Sequence, residues 1–317
     1  MPSWTSETMV ISVTLGLCVK NSESTIRNTV EAIIRQDFPH KSMETTVVDD
    51  GCTDKTIPII REIFSGTKIP MRVFVTGGKG LGAARQMVVD NARGRYIVWV
   101  DGDLTLSRDH VRRQVEFMER HPEVGKARGR WKQCAPPNSL VGSVESLALI
   151  GYEHRHANTK FAGSQLVGLG GSICRLQALR GVGGFDPEIK GAGEDVDIAA
   201  RMLKTGWSLR FSEAEFCHRC KETWRELWNQ SFWYGYGAHY VSHKHRVLTP
   251  VWTRTPPAAF FSWLLHSFVA YRASHRKASF FLPLQNVFKQ IAWCAGFVRG
   301  HLKSYGHRPA RGSEVKL

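Results

Sequence analysis

The chain has 317 residues, of which 42% are hydrophobic and 10% aromatic, and this composition excludes a disordered protein. The length suits one large domain or one domain with an appendage. The first residues lack a basic segment and a long apolar run, so we expect no signal peptide. The seven cysteines are scattered and odd in number, which is typical of reduced thiols rather than of a disulfide framework.

The formal net charge of +15 is concentrated in the last third of the chain. Residues 1–200 hold 25 Lys and Arg against 23 Asp and Glu, a net of +2, whereas residues 201–317 hold 18 against 5, a net of +13. Residues 227–313 contain no acid at all. A field of one sign predicts an anionic partner: lipid headgroups, nucleic acid or a phosphorylated substrate.

Predicted strands and helices alternate in the first part of the chain. Apolar, β-prone runs predict strands at residues 10–19, 44–48, 72–75 and 96–100. Helical spacing of apolar residues predicts helices at residues 24–35, 57–64 and 81–92. This order predicts a parallel sheet with helices on both faces, in the α/β class.

The last third changes character, with apolar runs at residues 256–271 and 279–300. The first is too short and the second too interrupted for a confident membrane span. Together with the missing acids, their helical pattern favours amphipathic helices on an anionic membrane surface. The alternative is an ordinary helical cap folded over the catalytic domain.

Asp101 and Asp103 close the run RGRYIVWVDGD, where the predicted strand 96–100 ends. In open α/β sheets, ligands bind at the carboxyl ends of the strands. Two carboxylates there are suited to a hard divalent cation such as Mg²⁺ or Mn²⁺. A polar turn is the alternative, because Asp and Gly are common in turns.

Two glycine-rich segments do not carry a cofactor signature. GGKGLGAAR fails the dinucleotide fingerprint at its last glycine, so we give a nicotinamide or flavin site little weight. GLGGSICR predicts a tight turn where the backbone approaches a ligand or another element.

Four stretches of the chain resemble the family-2 glycosyltransferases with the GT-A fold. They are ISVTLGLCVKNSESTIRNTVEAIIRQDFP, VVDDGCTDKT, GGKGLGAARQMVVDNARGRYIVWVDGD and GGFDPEIKGAGEDVDIAARMLKTG. The resemblance covers roughly residues 10–235 and implies a GT-A domain there, an α/β fold whose mixed, mainly parallel sheet is flanked by helices and has a Rossmann-like nucleotide-binding half. It lies between an N-terminal tail, residues 1–9, and a basic, apolar helical segment, residues 236–317.

The resemblance implies roles for the acidic motifs. Asp101 and Asp103 hold Mg²⁺ or Mn²⁺ against the diphosphate of a nucleotide sugar. Asp195, in the GEDVD run, is the base that activates the acceptor, and Glu194 shapes the site. The family's inverting reaction is one in-line displacement.

The nucleotide is expected on the first two strand ends, with Asp50 as the partner of the base. A carboxylate there would accept from a ring N–H of uracil, although guanine offers such a donor too. The residues assigned to the nucleotide sugar are Val19, Lys20, Asn21, Glu23, Asp49, Asp50, Lys79, Arg85, Asp101 and Gly102. For Lys79, a solvated surface charge is an equal alternative.

His218 lies in the CHRC run, where the resemblance sometimes implies a metal ligand. The alternative is a structural or exposed histidine. A zinc site made by Cys217, Cys220, His243 and His245 is disfavoured, because the spacing matches no standard finger and no second CxxC exists.

The acceptor is expected near two short runs. Their candidate residues are Gly170, Gly171, Trp228, Gln230 and Trp233. Aromatic rings there would offer an apolar floor, with core packing as the alternative. Since Gln230 is not followed by the Arg-Trp pair of processive family members, we expect addition of a single sugar.

The sequence thus predicts an inverting, metal-dependent transferase at the cytoplasmic face of the cell membrane, peripheral or monotopic. It would use a nucleoside-diphosphate sugar, UDP favoured over GDP, and a lipid-linked saccharide, other glycan or polyprenyl phosphate as acceptor. The rivals are a nucleic-acid-binding protein using the basic segment, and an inactive nucleotide-sugar-binding module. No nucleic-acid motif is present, so no nucleic-acid partner is expected.

Overall fold

The computed structural model describes residues 11–133, 137–156, 168–245 and 256–306. The predicted N-terminal tail lies outside them. The chain forms two compact units, each assembled from separate stretches of sequence. The first comprises residues up to 132, 160–188 and 198–218, and the second residues 133–159, 189–197 and those from 219 onwards. The predicted domain limit at residue 235 stays a prediction.

The first unit is built on an eight-stranded sheet. In chain order its strands are β1 (Val13–Val19), β2 (Met43–Asp49), β3 (Met71–Val75), β4 (Tyr96–Asp101), β5 (Leu104–Leu106), β6 (Val124–Trp131), β7 (Ser172–Arg175) and β8 (Ser208–His218). Their order across the sheet is β3-β2-β1-β4-β7-β6-β8-β5.

The sheet is parallel on one side and mixed on the other. Strands β1 to β4 pair in parallel, as do β6 and β8. Strand β7 is antiparallel to β4 and β6, and β5 is antiparallel to β8. The predicted α/β class with a mixed, mainly parallel sheet is therefore confirmed.

The helices match the predicted periodicity closely in the first part of the chain. They are α1 (Ile26–Ile34), α2 (Thr56–Phe64), α3 (Leu81–Asn91), α4 (His110–Arg120), α5 (Leu140–His156), α6 (Leu176–Gly181), α7 (Glu194–Lys204), α8 (Trp224–His245), α9 (Pro256–Ser274) and α10 (Leu282–Leu302). A short 3-10 turn, Lys277–Phe281, precedes α10.

The core of the first unit forms where α3 packs onto the centre of the sheet. Every residue of β1 is buried. A Cβ on Gly16 would lie 2.8 Å from Val88 of α3 and 3.0 Å from the Trp99 ring of β4. Glycine at this position therefore lets α3 approach the sheet closely, and α3 in turn begins directly after the site-forming loop 76–80.

The second unit is helical. It contains α5, the first turn of α7, and α8, α9 and α10. Val144, Ala148, Ala270 and Leu282 form a buried apolar cluster that joins α5, α9 and α10. Burial of apolar surface of this kind is the main term that stabilises such a bundle.

Helices α8 and α10 cross at small residues. A Cβ on Gly235 would lie 1.8 Å from the Trp293 carbonyl oxygen, and one on Gly296 would lie 1.9 Å from the Phe232 carbonyl oxygen. Only glycine fits at such a crossing, so the two helix backbones approach each other unusually closely.

Among the helices of the described ranges, none combines the length and apolar character that crossing a bilayer requires.

Candidate active site

The Asp101–Gly102–Asp103 turn joins the end of β4 to β5. The β4 strand is buried along its apolar length, and its last residue, Asp101, is the first whose side chain reaches solvent. Asp101 keeps 40% of its side chain exposed, and Asp103 is half-buried. The predicted strand end and its two acids are thus where the sequence placed them, with carboxylate oxygens open to a ligand.

Arg85 of α3 is the cation that lies against this turn. Its guanidinium is buried and donates to Asp101 Oδ1 at 3.2 Å, while its flat face covers the Trp99 ring at 5.7 Å. Removal from water raises the pKa of Asp101, with the neighbouring Asp103 carboxylate adding to the rise and Arg85 opposing it. One extra positive charge at this turn would therefore favour the ionised form of Asp101.

Pairing between strands β5 and β8 brings His218 close to the same turn. Strand β5 pairs antiparallel with β8, in a register that sets His218 opposite Leu104, the residue after Asp103. The imidazole is half-buried beside Trp131, with ring centroids 6.2 Å apart, and is close enough to Asp101 to favour its ionised form. His218 therefore lies near the two acids at the end of β4.

The backbone of the turn is fixed by groups that the sequence did not point out. The Gly102 carbonyl accepts hydrogen bonds from Thr25 Oγ1 at 2.7 Å and Thr29 Oγ1 at 3.2 Å. A Cβ on Gly170 would lie 2.5 Å from Asp101 Oδ2, so Gly170 provides the space for this carboxylate. Gly171 has a φ of 71° and packs against Phe216. Their acceptor role stays a prediction.

Asp50 occupies the end of β2 and is buried in a network of donors. Its Oδ1 accepts from the Thr76 hydroxyl and from the Gly80 N–H at 3.0 Å, and its Oδ2 lies 3.9 Å from Lys20 Nζ. Thr76 follows β3 immediately, so its position beside a strand end was the signal that could have found it. The position of Asp50 is fixed by Thr76 and by Gly80, the residue before α3, and its pairing with a nucleotide base stays a prediction.

The other predicted residues of this edge brace its loops. Asp49 Oδ1 accepts from the Gly51 and Cys52 N–H groups at 3.0 and 2.7 Å, and Asn21 Oδ1 accepts from the Thr53 N–H at 2.8 Å. Glu23 Oε2 accepts from the Lys55 N–H at 3.3 Å. These bonds tie the loop after β1 to the loop after β2.

The remaining predicted groups of this edge differ in exposure. Val19 is buried and contributes its carbonyl, which accepts from the Asp50 N–H at 2.9 Å. Lys79 is exposed, whereas Arg85 is buried, so the structure separates two cations that the sequence treated alike. The nucleotide-binding roles of all these residues stay predictions.

The candidate base and its neighbours lie in the second unit, at the first turn of α7. Glu194 is buried, Asp195 is half-buried, and Asp195 Oδ1 accepts from the Val196 N–H at 2.8 Å. Asp197 is fully buried, with Lys244 Nζ at 2.9 Å and His245 Nε2 at 2.8 Å from its Oδ1. Acids at this position are also favoured by the positive end of the helix dipole.

Of the three predicted acceptor residues on α8, one reaches the loop that carries Asp195. A Cβ on Gly191 would lie 2.9 Å from the ring of Trp233, whose side chain is about half exposed. Trp228 instead packs against Phe288 of α10, with ring centroids 5.5 Å apart, and Gln230 is half-buried. Trp233 is therefore the one that contacts the loop preceding the candidate base.

The cysteine expectation is wrong at one position. Cys217 is joined in a disulfide, whereas Cys18, Cys52, Cys174, Cys220 and Cys294 are reduced thiols outside any disulfide. A disulfide sulfur is not a thiolate ligand, and His245 is bound to Asp197, so the zinc site that the sequence disfavoured is not formed around the CHRC run.

Sequence comparison finds relatives that match this chain over only part of their own length. The chain is 27% identical over 135 residues to the poly(ribitol-phosphate) beta-N-acetylglucosaminyltransferase TarS of Staphylococcus aureus, a match spanning 39% of this chain and 24% of TarS. It is 27% identical over 205 residues to the beta-monoglucosyldiacylglycerol synthase of Synechocystis sp., spanning 62% of this chain and 41% of that enzyme. The chain thus spans less than half of the length of these curated relatives.

Solved structures show the same fold at low identity. Residues 1–349 of S. aureus TarS in complex with UDP superpose with a TM-score of 0.53 and 14% identity, covering 96% of this chain and 94% of that one. The mannosyltransferase PcManGT of Pyrobaculum calidifontis, in complex with GDP-Man and Mn²⁺, superposes with a TM-score of 0.63 and 16% identity, covering 92% and 87%. The fold is therefore that of the GT-A glycosyltransferases.

Two family models match long stretches of the chain. The model for glycosyl transferase family 2 matches residues 14–177, and that for glycosyl transferase family group 2 matches residues 96–295. The first stretch covers more than half of the chain and contains the strand ends that carry Asp50, Asp101 and Asp103. The chain belongs to glycosyl transferase family 2.

Proposed function

We propose that this chain is a metal-dependent, inverting glycosyltransferase that moves one sugar from a nucleoside-diphosphate sugar to a lipid-linked acceptor. The observation that carries the proposal is that Asp101 and Asp103 lie at the end of β4, with His218 brought beside them by the β5–β8 pairing, at the same edge of the sheet as Asp50. Carboxylates at parallel strand ends are suited to a nucleotide with its metal ion.

The donor set at the turn fits a divalent cation. Asp101 and Asp103 offer hard oxygen ligands with exposed surface, and His218 adds a nitrogen that Mn²⁺ accepts. These three residues would hold Mg²⁺ or Mn²⁺, which supplies positive charge against the leaving diphosphate. Arg85, fixed on Asp101, adds a permanent positive charge beside the same turn.

Asp50 supports a base that carries a ring N–H. With Oδ1 held by Thr76 and Gly80, its Oδ2 has Lys20 as a partner on the solvent side. Uracil and guanine both carry such a donor, and solved relatives of this fold hold UDP and GDP-Man. We propose UDP in preference to GDP.

In the proposed reaction, the acceptor hydroxyl oxygen forms a bond to the anomeric carbon of the sugar. The bond from that carbon to the diphosphate oxygen breaks, and the nucleoside diphosphate leaves with the bonding electrons. Asp195 takes the hydroxyl proton, and attack opposite the leaving group inverts the anomeric centre. The role of Asp195 rests on the GEDVD motif, and Trp233 is proposed to line the acceptor side.

The exposed surface of α9 supports our proposal for the acceptor and the cellular location. Phe261, Leu265 and Phe268 are exposed, at 67%, 70% and 51%, and recur at the spacing of one helix face. They lie within the long stretch that has no acid. We propose that this face rests on an anionic membrane from the cytoplasmic side, as a peripheral or monotopic contact, which would bring a lipid-linked saccharide or polyprenyl phosphate within reach.

Thermal shift against UDP, GDP, CDP and ADP, each with Mn²⁺ or with EDTA, tests the donor site. A nucleotide that binds the native state raises the melting temperature. We expect UDP with Mn²⁺ to do so and the shift to vanish in Asp103→Asn. Absence of a metal-dependent shift with every nucleotide would contradict the proposal.

Vesicle sedimentation tests the membrane contact. Anionic vesicles at low salt should retain the wild-type chain, and the double change Phe261→Ser with Leu265→Ser should release it. The control is Val75→Ser, since Val75 is 64% exposed in the first unit. Equal retention of both variants would contradict the assignment of this face.

A further inference from the structure

Three histidines of the second unit converge at the crossing of α8 and α10. His239 and His243 lie one turn apart on α8, and His301 lies in the last turn of α10. One ligand nitrogen from each lies within 4.8 Å of the other two. The proposed transfer reaction uses none of them, so the cluster needs its own explanation.

The buried member of the cluster has a defined orientation. His239 is fully buried, and its Nδ1 lies 2.7 Å from the Tyr305 carbonyl oxygen. A carbonyl oxygen only accepts, so Nδ1 carries the proton and donates, which leaves a lone pair on Nε2 of the neutral ring. Metal-binding histidines commonly donate their other N–H to a carbonyl in this way, because it fixes the ring and its tautomer.

The lone pair of His239 meets a second imidazole nitrogen. His239 Nε2 lies 3.2 Å from His243 Nε2. Two nitrogens bound tetrahedrally to Zn²⁺ at 2.0–2.1 Å lie about 3.3 Å apart, so the observed distance suits two ligands of one ion. An N–H···N hydrogen bond has a similar length, and it is the third ring that favours the metal: the His301 ring centroid lies 5.6 Å from that of His239.

The close crossing of α8 and α10 explains how the His301 ring comes near His239 and His243. A Cβ on Gly300 would lie 2.8 Å from the Cβ of His239, so glycine at this position lets the end of α10 pass beside α8. His301 follows directly. His243 and His301 are exposed, which leaves an opening for solvent on the outer side of the cluster.

We propose that His239, His243 and His301 form a Zn²⁺ site, with three imidazole nitrogens and a water molecule as ligands. The donor set differs in kind from that of Asp101 and Asp103: nitrogen ligands select zinc, whereas Mg²⁺ prefers oxygen. The ion joins α8 to α10. Because Gly237 of α8 packs under the Ala192 carbonyl and Val241 against Gly193, it also fixes the helix that supports the Asp195 loop.

The test is Zn²⁺ binding to the chelator-treated full chain, in the wild type and in Asp103→Asn. Both should bind zinc at this cluster with equal affinity, and X-ray absorption at the zinc edge should show three nitrogen ligands near 2.0–2.1 Å. His243→Gln and His301→Gln should each lose about 100-fold or more in affinity, since even second-sphere changes cost up to that. Zinc should raise the melting temperature of the wild type and leave that of both variants unchanged.

Two further variants separate a metal site from a histidine hydrogen bond. His154→Gln, on the exposed surface of α5, is the matched control and should bind zinc as the wild type does. His243→Cys should restore binding, because a thiolate is a zinc ligand. Unchanged zinc affinity in both glutamine variants, an oxygen-only ligand shell, or no binding by the folded wild type would overturn the proposal.

Discussion

Two strand ends of the first unit each carry an aspartate, and the two aspartates differ in exposure and in hydrogen bonding. Asp50, after β2, is 8% exposed, and one of its oxygens accepts from both Thr76 and Gly80. Asp101, at the end of β4, keeps 40% of its side chain exposed and accepts a hydrogen bond from Arg85, while burial and Asp103 raise its pKa. The comparison shows how hydrogen bonds from the fold distinguish the two carboxylates. They hold Asp50 in one orientation, whereas Asp101 keeps exposed surface that could bind a ligand.

The largest effect is expected at the β4 end. Asp103→Asn removes one of the two charges that would hold the metal, and we expect the rate of sugar transfer to fall about 1,000-fold, as the loss of several kcal/mol of charge stabilisation implies. The initial rate with Mn²⁺ measures it. Asp90→Asn, an exposed acid on α3, is the control and should keep the wild-type rate. A rate for Asp103→Asn near that of the control would remove the distinction between the two strand ends.

A smaller loss is expected when Asp101 is displaced without being changed. In Gly170→Ala the new methyl group would meet Asp101 Oδ2, so the carboxylate must move. A shift of this size near reacting groups costs up to about 100-fold in kcat. The thermal midpoint without metal should change little. Wild-type kcat in this variant would show that the position of Asp101 is not critical.

At the β2 end, the change should appear in substrate affinity. Asp50→Asn keeps an oxygen that accepts from Thr76 and Gly80 but removes the charge that we propose faces the nucleotide base. Loss of a hydrogen bond to a charged group costs about 1.5 kcal/mol, so we expect KM for the donor to rise about 10-fold with kcat nearly unchanged. A fall in kcat instead would show that Asp50 contributes to the transfer step and not only to binding of the base.

The smallest effect is expected for Asp49, the neighbour that braces a loop. Asp49→Ala leaves the Gly51 and Cys52 N–H groups without their acceptor, which should lower the free energy of unfolding by about 1 kcal/mol. Urea denaturation measures this. A donor KM that rises more in Asp49→Ala than in Asp50→Asn would reverse the roles of the two acids.

Local patterns predicted the parallel half of the fold well. The apolar runs that became β1, β2 and β4 are short, β-branched and bounded by polar turns, so period and length were enough. The mixed half was not predicted in detail, because β5 has three residues and its pairing with β8 depends on a partner far away in sequence. Non-local pairing leaves no local signal.

The same limit applies to the candidate site. Motifs in the sequence predicted Asp50, Asp101 and Asp103, because each of these residues lies within a short, characteristic run of neighbouring residues. The sequence could not show that Arg85 is buried, because that depends on how α3 packs onto the sheet, although it already allowed Lys79 to be a solvated surface charge. The three-histidine cluster was not foreseen either: His239 and His243 show helical spacing, but the approach of His301 is set by glycines on the facing helix.

The register of β5 against β8 also has a consequence for how the protein is made. His218 reaches the Asp101–Gly102–Asp103 turn only after the ribosome has synthesised more than 100 further residues and β8 has docked, and such distant pairings form slowly. The β1–β4 half can therefore assemble on the nascent chain while the ligand set at β4 is still incomplete. Under the proposed metal role, completion of the ligand set would be a late step of folding, and a variant that delays β8 docking would leave a folded intermediate that lacks His218 at the turn.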